Sequence, residues 1–259
     1  MRVISINCNG IRAAARKGMF AWLEKVDADV VCLQETKAQI HQLDDPIFHP
    51  EGYHCAYFDA QKKGYSGVAI YSKEKPKKFI AGINSDPAWQ EFNDEGRIIE
   101  AQFDKLSVLS VYLPSGSSGE IRQAAKYRFM DLFEQTMRSM KRKRREFIIC
   151  GDWNIVHTEK DIKNWRSNQK NSGCLPEERA WLTHLFDDLG FVDSFREVEQ
   201  EDHTYTWWSN RGRAYDNNVG WRIDYQVLSP KLKGTVVSTS VYKDEKFSDH
   251  APYIVDYKF

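Results

Sequence analysis

Residues 147–157, FIICGDWNIVH, combine a strong strand pattern with an abrupt change in chemistry. A run of Phe, two Ile and Cys is typical of a strand buried on both faces. The run ends in Gly151, Asp152, Trp153 and Asn154, so a carboxylate and an amide follow directly after the apolar segment. A Gly-Asp-x-Asn turn is by itself often a plain Asx turn. Recurrence of the pattern elsewhere in the chain is therefore what distinguishes a site from a turn.

The same pattern recurs at other apolar runs, each of which is flanked by polar groups without a partner nearby in sequence. These groups are Asn7, Glu35, Tyr112, Asp224, Asp249 and His250. A buried carboxylate or amide without a partner costs a few kcal/mol. One shared pocket explains this recurrence better than independent accidents. The sequence therefore predicts that these side chains meet Asp152 and Asn154 in one site.

The remaining pattern predicts mixed sheets covered by helices. Runs rich in β-branched and aromatic residues predict strands at 2–8, 29–33, 53–58, 67–71, 97–103, 106–113, 147–150, 223–228, 235–241 and 253–257. Helical periodicity predicts helices over 11–25, 120–140 and 177–189, the last with Pro176 before it and Gly190 after it. Hairpins at 64–67 and 104–105 make part of the sheet structure antiparallel.

Composition places the chain among globular proteins. Its 259 residues include 37 basic and 37 acidic side chains, and 41% are hydrophobic. We expect a single domain over residues 1–259, although two domains are compatible with this length. A formal net charge of zero argues against binding to nucleic acid or membranes through the electrostatic field of the whole protein. A local basic surface is still compatible with this composition. The cationic run at 137–145 is interpreted as the carbonyl end of a helix.

The cysteines and the N-terminus bear on the compartment. None of the five cysteines lies in a C-x-x-C spacing, which favours buried thiols in a reducing compartment over disulfides or a zinc site. The chain enters a strand pattern at once, and nowhere do eighteen apolar residues run together. We expect a soluble, cytoplasmic monomer that does not associate with membranes.

The polar groups at the strand ends favour a hard metal ion. Glu35, Asp152 and Asp249 supply carboxylates, and Asn7 and Asn154 supply amide oxygens. This oxygen set without thiolate suits Mg²⁺, or Mn²⁺ as a substitute, because these ions keep several waters and bridge to phosphate.

The histidine beside these groups suits phosphate chemistry. His250 follows one acid and has Asp224 as a candidate partner that fixes its tautomer, so it can donate to a phosphate oxygen or move a proton. The chain contains no Gly-rich phosphate loop, G-x-S-x-G elbow or H-E-x-x-H sequence. With these motifs absent, the chemistry that the remaining residues favour is metal-assisted attack of water on a phosphodiester.

Four short motifs carry a family resemblance. LQETK (33–37), GDWN (151–154), WRIDY (221–225) and SDHAP (248–252) occur in this order over almost the whole chain. Each motif alone is weak, but the ordered set resembles the exonuclease III family of apurinic/apyrimidinic (AP) endonucleases within the endonuclease/exonuclease/phosphatase superfamily. NVGWRIDY (218–225) resembles the abasic-endonuclease branch more than phosphoinositide phosphatases or secreted DNases. The implied fold is a four-layer α/β sandwich, with two mixed β-sheets packed face to face and helices outside.

The resemblance implies a role for each carboxylate and amide. Asp152 would orient or deprotonate the attacking water, while Asn7 and Asn154 hold that water and the phosphate and contribute to the metal environment. Glu35 would be the principal metal ligand. Asp249 would be a further ligand or an outer partner.

The resemblance also implies how the phosphate is held. His250, paired with Asp224, would bind the scissile phosphate, and Tyr112 would place its hydroxyl near that phosphate or the leaving oxygen. Some relatives carry an acid where this chain has Asn9, which leaves the number of metal ions open.

Aromatic residues are the expected determinants of substrate choice. Trp207 and Trp221 match positions that, in the family, form the walls of the pocket for a sugar without its base. Trp208 is expected in the core. An abasic sugar is already unstacked and is cheap to flip out. Gly173 would leave room for that sugar. Asn168 and Asn171 match family positions that contact the phosphate and sugar. Further candidate contacts to DNA are Lys37, Arg122, Lys170, Arg211 and Arg213, for each of which an ordinary solvated cation is the default.

Each assignment has a structural alternative. His250 can be a strand-edge histidine satisfied by Asp224, Tyr112 a core aromatic with a wet hydroxyl, and Glu35 an exposed loop acid. The assignments therefore stand or fall as a group. The other histidines are expected to be structural or to lie at the surface: His41, His49, His54, His157, His184 and His203.

The predicted function is that of a Mg²⁺-dependent DNA-repair phosphodiesterase that cuts double-stranded DNA 5′ to abasic sites, a class II AP endonuclease of base excision repair. Minor 3′-phosphodiesterase, 3′-phosphatase or 3′→5′ exonuclease activity at DNA 3′ ends is expected beside it. One alternative is an enzyme acting chiefly on 3′ termini, which the loop at 168–175 would decide. Another is a DNA-binding relative that has lost catalysis.

Overall fold

The computed structural model describes all residues from Met1 to Phe259, which form two large β-sheets, one short strand pair and flanking helices. The strands are β1 (Arg2–Asn7), β2 (Val30–Gln34), β3 (His54–Phe58), β4 (Val68–Ser72), β5 (Lys78–Ala81), β6 (Ile98–Gln102), β7 (Leu106–Tyr112), β8 (Glu146–Asp152), β9 (Val192–Asp193), β10 (Trp207–Trp208), β11 (Gly220–Trp221), β12 (Asp224–Leu228), β13 (Val236–Val241) and β14 (Tyr253–Tyr257). The α-helices are α1 (Ile11–Arg16), α2 (Met19–Val26), α3 (Gln90–Asp94), α4 (Glu120–Lys141), α5 (Trp165–Asn168) and α6 (Pro176–Thr183).

Both large sheets are mixed, as predicted. The first has six strands in the order β13-β14-β1-β2-β4-β3, and the second has six in the order β5-β6-β7-β8-β12-β9. Only β1 with β2 and β7 with β8 pair in parallel. A parallel pair needs a crossover, which α1 and α2 supply in the first sheet and α4 supplies in the second.

The alternation of side chains along β8 explains its continuous apolar run. Phe147 and Ile149 face the core between the second sheet and helices α4 and α6, whereas Ile148 and Cys150 face the core between the two sheets. A third core joins the first sheet to α1 and α2. The layers are therefore helix, sheet, sheet and helix, which confirms the four-layer sandwich.

Several predicted elements have different bounds. The helix predicted over 11–25 is two helices, because the chain turns at Gly18, whose φ of 88° lies in the left-handed region that favours glycine. The helix predicted over 177–189 ends at Thr183 and continues as a π-helical segment, His184–Asp188. Both predicted hairpins are present, although a nine-residue connection, 59–67, joins β3 to β4. Strands β5, β9, β10 and β11 were not predicted.

The thiols agree with the sequence expectation of unpaired cysteines. All five cysteines are free, and only Cys55 is partly exposed. No helix combines the length and the apolar content that a bilayer crossing requires.

Candidate active site

The polar strand ends meet at one edge of the sandwich. The C-terminal ends of the parallel strands β1, β2, β7 and β8 lie at the same edge as the N-terminal ends of the antiparallel strands β12 and β14. A groove of about 990 Å³ opens there. Its lining includes Glu35, Tyr112, Asp152, Asn154, Asn168, Lys170, Asn171, Trp207, Arg211, Trp221, Asp249 and His250.

Asn7 joins the two carboxylates of the groove. Its Nδ2 donates to Glu35 Oε1 and to Asp152 Oδ2, both at 2.9 Å, and its Oδ1 accepts from the backbone N–H of Asn9 at 2.9 Å. A backbone N–H is always a donor, so this contact sets which way the amide points. Asn7 therefore presents its NH₂ group to the carboxylates. The role of Asn7 as a metal ligand stays a prediction, since its Oδ1 keeps a second lone pair.

Asp152 is a buried carboxylate at the centre of the groove. It is 1% exposed and accepts hydrogen bonds from the backbone N–H of Asn154 at 2.8 Å and from Asn154 Nδ2 at 3.3 Å. Burial raises the pKa of Asp152 to about 7, helped by the charges of Asp224 and Glu35 and opposed by His250. A carboxylate with a pKa near neutrality is suited to accept a proton from water.

The pKa of His250 is shifted by two opposing effects. Burial on its own lowers it, but the negative charges of Asp224 and Asp152 raise the pKa of His250 to about 10. Its Nδ1 lies 2.9 Å from Asp224 Oδ2, and its Nε2 lies 3.8 Å from Asp152 Oδ2. The imidazole is therefore charged at neutral pH and offers a donor toward the groove.

Glu35 lies on a corner that the loop between β3 and β4 holds in place. Its φ of 49° is in the left-handed region. Beyond it, the N–H of Thr36 donates to Gly67 O at 3.1 Å and the N–H of Lys37 donates to Ser66 O at 2.8 Å. The Lys37 ammonium pairs with Glu35 Oε2 at 2.8 Å. Lys37 thus neutralises the acid of the site in this structure.

Tyr112 is held from behind by an arginine. The Arg97 guanidinium lies 4.8 Å from the ring centroid and donates to Tyr112 O at 3.0 Å. Burial, together with the charge of Glu35, raises the pKa of Tyr112 well above its ordinary value. The phenol therefore keeps its proton and is a hydrogen-bond donor at the groove.

The donor set fits a hard divalent cation. Ligand atoms of Glu35, Asp152 and His250 lie within 4.8 Å of one another. Because Asp224 keeps His250 protonated, the oxygens of Glu35 and Asp152 are the groups that suit Mg²⁺ or Mn²⁺. Asp249 is occupied differently: it accepts from Trp207 Nε1 at 3.1 Å and from Asn9 Nδ2 at 2.9 Å. Of the two roles predicted for Asp249, direct metal ligand or outer partner, these contacts favour the outer partner.

Two indoles form a wall beside the ionic groups. Trp207 and Trp221 face each other across the β10–β11 pair, with ring centroids 5.8 Å apart at an interplanar angle of 87°. The Trp207 centroid lies 6.4 Å from that of His250. Trp208 points the other way and is fully buried, which confirms its predicted place in the core.

A buried arginine anchors the strand that carries the aromatic wall. Arg222 Nε donates to Asp161 Oδ1 at 2.7 Å, and Arg222 Nη2 donates to Asp193 Oδ2 at 2.7 Å. Trp221 precedes Arg222, and Asp224 follows it after one residue. The position of an indole and of the partner of His250 therefore depends on the same ion-pair network.

Gly173 lies behind the wall and does not line the groove. A Cβ on this residue would lie 2.9 Å from Asn154 O and 3.1 Å from Trp221 Cζ3. The missing side chain makes room for the protein's own backbone and indole. This geometry corrects the prediction that Gly173 leaves space for a sugar.

The predicted DNA contacts occupy different environments. Asn171 Nδ2 donates to Asn168 Oδ1 at 2.8 Å, so these two amides hold each other at the groove rim, while Arg211 is exposed there. Arg122 is engaged elsewhere: it pairs with Glu95 at 2.9 Å and donates to Tyr65 OH at 2.9 Å. Its predicted contact with DNA backbone conflicts with this internal pairing.

Some groove residues were missed by the sequence interpretation. They are Ser115, Gly116, Ser117, Glu120, Gln123 and Asn164. They lie in the loop before α4, in the first turns of that helix and in the turn before α5, and no local pattern distinguishes them from ordinary loop and surface residues. None of the six histidines expected to be structural or at the surface lines the groove.

Comparison with known proteins agrees with this geometry. Residues 4–250 match the model of the Endonuclease/Exonuclease/phosphatase family. The chain is 41% identical to the exodeoxyribonuclease of Bacillus subtilis (strain 168), with 97% of each chain covered. Its fold is similar to an AP endonuclease from Archaeoglobus fulgidus (TM-score 0.85, 26% identity, 100% of each chain covered) and to the 3′-5′ exonuclease NExo from Neisseria meningitidis (TM-score 0.87, 26% identity, 100% of each chain covered). The chain therefore belongs to the exonuclease III and AP endonuclease branch of the endonuclease/exonuclease/phosphatase family, whose members are metal-dependent phosphodiesterases.

Proposed function

We propose that this phosphodiesterase incises double-stranded DNA on the 5′ side of abasic sites, leaving a 3′-hydroxyl and a 5′-deoxyribose phosphate. The observation that carries the proposal is the aromatic wall of Trp207 and Trp221 directly beside His250 and Asp152 in one groove. This aromatic wall would receive a sugar without its base and exclude an intact nucleotide by shape. Minor activity on 3′ ends accompanies incision, because the same phosphodiester chemistry applies there.

The buried groups divide the work of hydrolysis. Asp152 takes the proton of the attacking water, and Asn154 beside it helps to orient that water. The His250 imidazolium donates to a non-bridging oxygen of the phosphate and balances the charge that builds there. The Tyr112 hydroxyl donates toward the phosphate or the leaving oxygen.

A divalent ion completes the site. Glu35 and Asp152 would hold it, with Mg²⁺ as the preferred ion and Mn²⁺ as a substitute. When bound, the ion supplies positive charge that stabilises the phosphate during hydrolysis. A general base contributes only about 10²- to 10⁴-fold, so most of the acceleration comes from charge stabilisation and orientation.

The first test removes the two central groups. Asp152→Asn and His250→Ala are each expected to lower the rate of abasic-site incision by at least about 10²-fold while duplex affinity stays within a few-fold. The assay uses a labelled duplex with one abasic analogue, with and without EDTA. Asp44→Asn and His203→Ala, both exposed and outside the groove, serve as matched controls. Incision by either site variant at the wild-type rate contradicts the assignment.

The second test addresses selectivity. Trp221→Ala opens the aromatic wall, so the ratio of cleavage at an abasic site to cleavage of intact duplex is expected to fall by roughly 10-fold, which corresponds to about 1.4 kcal/mol. Both substrates are compared in one set of reactions. An unchanged ratio counts against the aromatic wall as the source of selectivity.

A second candidate function is action chiefly on 3′ termini. This candidate is supported by the structural similarity to a 3′-5′ exonuclease over the full length of both chains. The decisive comparison is between incision of an internal abasic analogue and removal of a 3′-phosphate from a nicked duplex. A faster reaction at the 3′-phosphate supports this second candidate.

A further inference from the structure

A buried ion pair links two helices beneath the groove. Lys126 of α4 and Glu178 of α6 are both 0% exposed, and Lys126 Nζ lies 2.6 Å from Glu178 Oε1. Neither side chain lines the groove. Burying two charges is costly, and such a pair is often no more stabilising than an apolar pair of the same size. Its presence directly behind the site therefore calls for an explanation other than stability.

Glu178 holds the loop at 168–175. Its Oε2 accepts from the backbone N–H of Gly173 at 2.6 Å and from that of Leu175 at 3.1 Å. Its Oε1 accepts from Ser172 Oγ at 3.4 Å and from Gln123 Nε2 at 2.9 Å. One carboxylate thus accepts hydrogen bonds from three residues at the end of the loop that carries Asn168 and Asn171 at the groove rim.

Lys126 holds the other side of the site. Its ammonium donates to Asn154 O at 2.8 Å. Asn154 has a φ of 53°, and its side chain donates to Leu113 O at 2.9 Å and to Asp152 Oδ2 at 3.3 Å. The carbonyl that Lys126 binds therefore belongs to the residue that orients Asp152.

The two halves of the network meet at Gly173. Its backbone approaches so closely that a Cβ would lie 2.9 Å from Asn154 O and 3.1 Å from Trp221 Cζ3. The Gly173 carbonyl also accepts from the N–H of Val156 at 2.8 Å. A shift of the loop would therefore move Trp221 and the Asn154 corner together.

We propose that Lys126 and Glu178 are positioning residues that lock the loop at 168–175 to the Asn154 corner, and that this lock sets the spacing between the hydrolytic groups and the aromatic wall. The inference rests on the proposed function for its choice of substrate. It assigns selectivity for the abasic site to two residues that do not contact DNA. Misplacement of reacting groups by about 1 Å can cost about 10²-fold in rate.

The test replaces both charges at once. Lys126→Met with Glu178→Gln keeps the side-chain volumes and leaves no unpaired charge, so the protein is expected to fold. The ratio of kcat for abasic incision to kcat for removal of a 3′-phosphate is expected to fall by about 10-fold or more. A loss of folded protein lowers both rates equally and leaves this ratio unchanged. Exchange of the Gly173 and Leu175 amides with deuterium is expected to become faster, while amides of β7 and β8 stay protected.

A second variant separates the halves of the network. In Lys126→Met alone, the Glu178 carboxylate keeps its donors from Gly173, Leu175, Ser172 and Gln123. Exchange of the Gly173 and Leu175 amides should then stay closer to wild type than in the double variant, although Glu178 loses its buried counter-charge. The ratio of the two kcat values still falls, because Asn154, which has lost the Lys126 donor, shifts relative to the aromatic wall. Arg128→Met with Glu91→Gln removes an exposed ion pair between α4 and α3, with Nη2 to Oε1 at 2.8 Å, and is the matched control.

The outcomes for the inference and for the proposed function are distinct. A double variant with the wild-type ratio and unchanged exchange at Gly173 and Leu175 overturns the inference. A control that shows the same fall in ratio overturns it as well. If the wild-type protein does not incise the abasic duplex, the proposed function is overturned. The deuterium exchange of the variants then still tests whether Lys126 and Glu178 hold the loop at 168–175.

Discussion

Two residues of the groove show how environment divides chemical roles. Asp152 and His250 lie within 3.8 Å of each other, and both have a raised pKa, for different reasons. Burial disfavours the charged carboxylate of Asp152, whereas nearby carboxylates stabilise the charged imidazole of His250 against burial. In the proposed mechanism Asp152 is the base, while its neighbour His250 stays cationic for the phosphate. Their titrations are linked, because each charge changes the other.

The partner of His250 offers a direct test at the residue scale. Asp224→Asn removes the main charge that raises the pKa of His250, so burial should shift its titration to lower pH. Because the pKa of His250 in the folded protein is above the unfolded value of about 6.5, the Asp224 pair stabilises the protein fully below that pH and loses this effect as pH rises toward 10.

For Asp224→Asn we expect a 10- to 100-fold lower kcat and an alkaline limb of the rate profile that moves to lower pH. The check is an NMR titration of the His250 Cε1–H in metal-free protein, together with the rate profile. A titration of His250 that matches wild type would contradict the pairing.

At the scale of elements, the site depends on where strands end. Parallel strands β7 and β8 pair Tyr112 with Asp152, and antiparallel β12 pairs Asp224 with Asp152, so three strands bring three functional side chains into one row. Rigid strands aim side chains more accurately than free loops do. The loops add the left-handed corners at Glu35 and Asn154, which turn the chain immediately after the strands.

Gly151 is the element-scale requirement that is easiest to test. A Cβ at this position of β8 would lie 1.8 Å from Val111 O in β7, a contact with backbone that cannot relax by rotating a side chain. Gly151→Ala is therefore expected to destabilise the protein by about 3 kcal/mol or more and to displace Asp152.

Urea unfolding of Gly151→Ala and wild type measures this difference. Gly52→Ala, where nothing lies within 4 Å of the added Cβ, is the control and should cost only about 1–2 kcal/mol from its left-handed backbone. Equal losses in the two variants would show that the contact with Val111 is unimportant.

At the scale of the whole molecule, the sandwich places charge unevenly despite a formal net charge of zero. The groove collects the carboxylates of Glu35, Asp152, Asp224 and Asp249 at one edge. Only Lys37 and His250 oppose them directly, through the contacts described above. A divalent ion at this edge should therefore stabilise the folded protein as well as support hydrolysis.

This stabilisation is measurable without any substrate. At a Mg²⁺ concentration of about 100 Kd, binding to the folded state adds about 2.7 kcal/mol, which raises Tm by several degrees for a protein of this size. Glu35→Gln should remove most of the shift, whereas the exposed Glu51→Gln should keep it. A Tm that is insensitive to Mg²⁺ in wild type, or an equal shift in both variants, would contradict the site.

How much was predictable from the chain depends on whether the determinant is local. Strand patterns, the long helix α4, the free thiols and the motifs that indicate the family are local features, because side-chain periodicity and turn chemistry need no distant partner. The break at Gly18 and the short strands β10 and β11 were missed, since a glycine or two tryptophans fit several local conformations.

The amino-acid sequence by itself determined that polar groups follow apolar strands again and again, and that the ordered motifs belong to one family. Only the tertiary structure decided which way the Asn7 amide points, that Arg122 is bound to Glu95, and that the space beside Gly173 is filled by Asn154 and Trp221. It also decided the pKa values of Asp152 and His250 and the pairing of Lys126 with Glu178. The physical reason is that hydrogen-bond direction, burial and charge depend on distances between atoms that are far apart along the chain, and these distances exist only once the two sheets have packed.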